Sequence, residues 1–291
     1  MLRWAPLLAV VLLAGCASGG SVPAAPISPP PQTWTVTNGT LTLMASAGFG
    51  GAIVSLTDAA GNQYVNTSDH GREFQTAYTL DGLAEVENPT EAGSFADASG
   101  QVSTSIIKGM AASGAVLSST VNPAYWEPYN GALVSPDTIS KTITLGYGGI
   151  ANVIRWDVTI VLAQPHTLST FEGLTGYGPP LPELWVQQPS GSWMQSTPAP
   201  NVAVQYGSPI IEASADGAQA IGVYTPLTTP LPYQNAFNTQ LAGVDKWDCA
   251  WWNTGTYPGN AIPAGTYSAT CYVAVGTLAQ VEASITILQT L

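Results

Sequence analysis

The sequence predicts an all-β protein, built as a large antiparallel sandwich. Three observations carry this. Lys and Arg number 6 and Asp and Glu 18, so 8% of 291 residues are charged. Soluble proteins carry about 25%, and helices with charged outer faces have little material here. The 30 Gly and 23 Pro, with abundant Ser and Thr, supply many turns. Finally, several segments alternate apolar and polar residues with the period of two that a half-buried strand requires.

The elements follow along the chain. Thr33–Thr37 and Thr40–Leu43 alternate around Asn38-Gly39, the strongest short hairpin signal. Ala52–Thr57 reads as a strand running into the turn Asp58–Asn62. Apolar runs near 102–107, 114–121 and 138–145 add three strands. From Asn152 to Leu162, the residues Ile154, Trp156, Val158, Ile160 and Leu162 share one face, and Arg155, Asp157 and Thr159 the other. Further runs lie near 202–206, 209–214 and 219–225. In Tyr267–Val275, one face holds Tyr267, Ala269, Cys271, Val273 and Val275. Leu278–Leu288 reads equally as helix or strand. No internal repeat or domain boundary is visible within 33–291, so one β domain is expected there.

Composition also excludes partners. A net charge of −12 and a pI near 4.2 leave no basic footprint for nucleic acid. With 45% hydrophobic residues, the body is not a disordered chain.

The N-terminus reads as an address. Arg3 precedes a short apolar run ending Leu13-Ala14-Gly15-Cys16. The run is too short to span a bilayer and fits a secretory signal. Its ending resembles the bacterial lipoprotein box, which implies cleavage before Cys16 and lipidation of that residue. Ala17 and Ser18 follow in place of Asp, which by the same resemblance implies an outer-membrane lipoprotein. Residues 17–32 form a Gly/Ser/Pro tether. Membrane association is thus expected through the lipid anchor alone. With Cys16 on lipid, Cys249 and Cys271 are left to form one disulfide in an oxidising compartment. Two free thiols or a metal pair are the alternatives.

Against so uncharged a background, ionisable clusters mark where chemistry could lie. The sharpest is Asp69-His70-Gly71-Arg72-Glu73; a loop carrying Glu85, Glu87 and Glu91 follows. A third group is His166, Glu172 and Tyr177. Aromatic residues stand in loop-like contexts at Trp126, Trp247, Trp251 and Trp252. Rings that cover sugar C–H faces, with carboxylates and Arg for hydroxyls, describe a carbohydrate site. Breaking a glycosidic bond needs a proton donor and a base or nucleophile, usually two carboxyls. The sequence contains no calcium-loop or zinc-ligand pattern and no Gly-x-Ser-x-Gly elbow. No cofactor is expected, although carboxylates from distant loops could still build a structural calcium site.

The order Gly51-Ala52-Ile53-Val54-Ser55-Leu56, a turn at Gly61, Tyr64-Val65-Asn66, then Asp69–Glu73 and a strand resembles the start of the galactose mutarotase-like β-supersandwich proteins. That resemblance implies a large antiparallel supersandwich and a Gly-Arg element lining a sugar cleft. It covers about 30 residues closely. The family's epimerases use two cleft histidines and a late glutamate, a set this chain lacks, which disfavours a simple mutarotase. The resulting expectation is an envelope lipoprotein that cleaves a neutral oligo- or polysaccharide by hydrolysis or elimination. Asp69, Glu73 and Glu91 would supply acid and base, with His70 tuning them. Arg72, Tyr177, Glu172, Trp126 and Trp251 would bind substrate. A non-catalytic glycan-binding lipoprotein and an epimerase-like enzyme are the other readings.

Overall fold

Strand pairing dominates the computed structural model. It describes residues 32–66, 73–81, 88–93, 103–167, 170–197, 202–226, 232–241, 244–252 and 261–291. The first strands are β1 (Thr33–Thr37), β2 (Leu41–Ser46), β3 (Ile53–Asp58), β4 (Gln75–Thr79), β5 (Pro89–Thr90), β6 (Ile106–Ser113) and β7 (Val116–Asn122). Next come β8 (Ala124–Tyr129), β9 (Ala132–Val134), β10 (Thr138–Leu145), β11 (Val153–Leu162), β12 (His166–Thr167), β13 (Thr170–Gly178) and β14 (Glu183–Gln187). The last are β15 (Trp193–Ser196), β16 (Val202–Tyr206), β17 (Ile210–Ala213), β18 (Ala220–Tyr224), β19 (Pro232–Leu241), β20 (Val244–Trp252), β21 (Ala261–Ile262) and β22 (Gly265–Gly276). The helix α1 (Leu278–Leu288) closes the chain.

Two large antiparallel sheets form the body. One runs β15-β14-β17-β18-β22-β11-β10-β7-β6, the other β16-β19-β20-β13-β4-β5-β8-β9. A three-stranded sheet β1-β2-β3 and a pair β12-β21 complete the pairing. The β1–β2 hairpin turns where Asn38-Gly39 predicts it, and the Asn38 carboxamide oxygen accepts from the backbone of Thr40 and Leu41.

The core between the sheets follows the alternation. Ile154, Trp156, Val158, Ile160 and Leu162 of β11 are all buried in it, as are Cys271, Val273 and Val275 of β22. The facing sheet contributes Tyr78, Phe171, Leu174 and Trp247, with Phe74 edge-on to Trp247 at 4.9 Å. Gly176 is required beside that indole, because a Cβ there would sit 2.2 Å from the Trp247 ring. Cys249 of β20 and Cys271 of β22 form the expected disulfide and tie one sheet to the other. Closing a loop across a separation of 22 residues stabilises by about 3 kcal/mol in the chain-entropy model.

The ambiguous C-terminal segment is helical. Thr277 accepts from the backbone of Gln280, and the Gln280 side chain reciprocates, a capping box. Val281, Ile285 and Leu288 then pack on the outer face of the nine-stranded sheet, over Ile211, Ala213, Ala220 and Ala274. Gly222 permits the approach: a Cβ there would lie 2.5 Å from Val281.

Candidate active site

The eight-stranded sheet brings five polar side chains together on its outward face. β13 and β20 pair so that Tyr177 faces Lys246 and Thr175 faces Asp248. Direct cross-strand partners share a face, and Lys246 and Asp248 are two residues apart, so all four do. The register shifts between Glu172 and Leu174. A bulge there changes the phase of β13, which turns Glu172 rather than Gly173 toward Lys246.

The Lys246 ammonium is the centre of the group. Its Nζ lies 3.6 Å from Oδ2 of Asp248 and 4.0 Å from Oε1 of Glu172. The near oxygens of the two carboxyls are therefore no further apart than those two distances together. Lys246 also stands 5.6 Å over the Tyr177 ring, a cation–π contact. Asp248 is completely buried, whereas the Glu172 side chain is 18% exposed. Burial, reinforced by the charge of Glu172, pushes the Asp248 carboxyl up to about 7, against the opposing pull of Lys246. One carboxyl is thus poised to hold its proton near neutral pH, and the other keeps contact with solvent. Two neighbouring carboxyls in such unequal surroundings make a candidate acid–base pair.

A second pair of acids lies behind the same sheet. Asp245 alternates with Lys246 and accepts from the backbone of Leu181. Glu212 of β17 is buried, and burial with the charges of Asp245 and Asp248 holds its carboxyl well above the usual carboxylate range. Burial of this kind disfavours the charged form of the carboxyl.

The residues expected from sequence are distributed unevenly. Glu172 and Tyr177 belong to the cluster. Glu73 is fully buried immediately ahead of β4. Trp126 stands on β8 in the same sheet, with β4 and β5 between it and β13. Trp251 falls within β20 opposite Phe171, its side chain outside the described residues. Asp69, His70, Arg72 and Cys16 also lie outside the described residues.

Glu91 requires a correction. Expected in a loop as an acid or base, it is fully buried in the core, 2.5 Å from Nζ of Lys141. Its other oxygen accepts from the backbone of Thr76, and Lys141 also donates to the Gly51 carbonyl and lies 5.0 Å over the Trp156 ring. Both of its oxygens are taken by core partners, so its place is structural. His166 is likewise engaged: its Nδ1 is 2.7 Å from Oδ2 of Asp81.

Sequence reading missed Lys246 and Asp248. The signal was present in Asp245-Lys246-Trp247-Asp248-Cys249, where charged residues alternate with two that must be buried. The eye goes to Trp247 and Cys249, yet their burial is what places Lys246 and Asp248 on the opposite face.

The sequence matches no protein-family model and no curated protein. Solved structures do match in shape. A galactose mutarotase related enzyme from Lactobacillus acidophilus superposes with a TM-score of 0.52 at 10% identity, covering 84% of this chain and 98% of that one. A protein from Synechocystis sp. PCC 6803 gives 0.49 at 12% identity over 86% and 97%. A galactose mutarotase-like protein from Clostridium acetobutylicum gives 0.45 at 8% over 82% and 94%. In its sheets, its connectivity and its likeness to the first of these, this chain has the galactose mutarotase-like β-sandwich fold.

Proposed function

We propose that the protein is a carbohydrate-active enzyme that hydrolyses a neutral glycan, with Asp248 and Glu172 as its two working carboxyls. The observation that carries this is the split between them. Asp248 is a buried carboxyl pushed up to about 7, beside a partly exposed Glu172, with one ammonium contacting both. Asp248 would donate its proton to the leaving glycosidic oxygen. Glu172 would take a proton from the attacking water, or attack the anomeric carbon itself and be released by water. Lys246 would hold the Glu172 side chain in place, and Tyr177 would meet ring faces. The fold shared with a galactose mutarotase related enzyme supports sugar as the substrate class. The chain's acidity, net −12, disfavours a polyanionic one.

The test is to incubate the purified protein with a panel of neutral oligosaccharides and to follow products by mass spectrometry and anomeric proton signals. Hydrolysis adds one water per cleavage. An unsaturated product would instead mean elimination. Faster anomeric exchange with no change of mass would mean an epimerase. No change on any member of the panel would leave a binding protein.

The same reading places the protein in a bacterial envelope, tethered through Cys16, most consistently at the outer membrane. Its support is the Leu13-Ala14-Gly15-Cys16 box and the residues after it. Metabolic labelling with a fatty-acid analogue should mark the wild-type protein and not Cys16→Ser. Equal labelling of both would refute the anchor.

A further inference from the structure

The outer face of the nine-stranded sheet lies on the opposite side of the sandwich from Glu172 and Asp248. It carries a ring cluster that the proposed reaction does not use. Tyr224 of β18 and Tyr272 of β22 are cross-strand partners, their rings stacked at 5.8 Å and 19°. Tyr147, from the turn before β11, lies 5.2 Å from Tyr272. Arg155 caps Tyr147 at 5.0 Å and is held by Asp157, Nε to Oδ2 at 2.8 Å. Asp157 also accepts from Thr270 Oγ1 at 2.6 Å.

Two hollows open beside this stack. One, of about 260 Å³, passes Tyr272 and is lined by Asp157, Thr159, Ser268 and Thr270. The other, of about 580 Å³, passes Tyr224 and is lined by Gln188, Ser190 and Gln289. Thr225 borders both.

Some of this ring surface is explained by packing, because the three tyrosines border the residues beneath α1. Packing does not account for hollows on both sides of the stack, furnished with hydroxyls and carboxamides. On β10 the same face carries threonine, at Thr142 and Thr144. Aromatic surface beside fixed donors and acceptors suits the alternating C–H faces and hydroxyls of a sugar. The charges present, Arg155 and Asp157, neutralise each other, so the ligand should be uncharged. Among the described residues Asp157 is the one carboxyl lining either hollow, and it is already engaged by Arg155 and Thr270. Cleavage usually uses two carboxyls, so the described residues of this face suit holding a glycan.

We propose that the Tyr224–Tyr272 face is a second carbohydrate-binding surface, which retains a neutral polysaccharide while the Asp248 site acts. The chemical class of the ligand rests on the function proposed above; the surface itself does not.

The experiment measures retention of the full chain, in detergent, on insoluble cellulose, xylan, mannan, starch and β-1,3-glucan, alongside turnover of short soluble oligosaccharides. Wild type should be retained on at least one polymer. Tyr224→Ala with Tyr272→Ala should weaken retention about tenfold or more, with oligosaccharide turnover within about twofold of wild type. Tyr224→Phe with Tyr272→Phe should keep most of the retention. Ser190→Trp, at an exposed turn, fills the larger hollow without touching the core and should also weaken retention, which covers the case of an unstable alanine variant. Retention unchanged by both the alanine pair and Ser190→Trp would overturn the proposal, as would a wild type that binds none of the polymers. Turnover without tyrosine-dependent retention sinks this surface alone. Tyrosine-dependent retention without turnover upholds the surface and sinks the hydrolase reading.

Discussion

Asp248→Asn is expected to lower kcat on a responsive glycan by about 10²–10⁴-fold, the range for loss of a positioned general acid. KM should move little, because the change removes a proton and almost no volume. Glu172→Gln should cost a similar factor. The pH profile identifies the roles. In wild type kcat/KM should fall on the alkaline side as Asp248, pushed up to about 7, loses its proton. In Asp248→Asn that limb should disappear from whatever activity remains. Full activity in both variants would remove Asp248 and Glu172 from the mechanism. Stability offers a check independent of substrate. The folded state holds the Asp248 proton better than the unfolded chain, whose value is near 3.8. This contribution is present in full below about 4 and is lost as pH rises through about 7. The span corresponds to roughly 4 kcal/mol. Asp248→Asn should flatten that decline in urea unfolding, and an unaltered slope would contradict the burial argument.

Lys141→Met is expected to cost about 3–5 kcal/mol of folding stability, because it leaves the Glu91 carboxylate buried without its countercharge. Burial pulls the Lys141 amine below its usual value, and Glu91 opposes that pull. Lys141→Met combined with Glu91→Leu removes both charges and should recover most of the loss, since an apolar replacement for a buried pair is often neutral. Chemical unfolding of the three proteins measures this. A cost below about 1 kcal/mol for Lys141→Met alone would mean that the pair is not buried as a charged unit. The double variant should also keep its glycan turnover, which separates a structural Glu91 from a catalytic one.

Much of the fold could be read from the chain because its signals are local. Alternation over 152–162 marks inward Trp156 and outward Arg155 within one strand. Asn38-Gly39 marks a turn within four residues, and Cys249 and Cys271 form the disulfide that was expected of them. The resemblance at 51–73 reached the right fold from a short segment. Where local signals balance, as in Leu278–Leu288, tertiary contact decided. The apolar floor of Ile211, Ala220 and Ala274 selects a helix whose cap Thr277 and Gln280 already provide.

The site was much less legible. Clustering of charge along the sequence drew attention to Asp69–Glu73 and Glu91, yet neighbours in sequence need not be neighbours on a sheet. Glu91 follows a two-residue strand and turns inward to a lysine on β10. Glu172 meets Lys246 only because β13 pairs with β20 and a bulge resets its phase. The sequence by itself determined that this protein is β, how its strands turn and which faces they bury, since each depends on residues a few positions apart. Only the tertiary structure decided which carboxyls share an ammonium and which lie sealed in the core. Strand pairing joins residues far apart in the chain, and a carboxyl's chemistry depends on the water and charge around it.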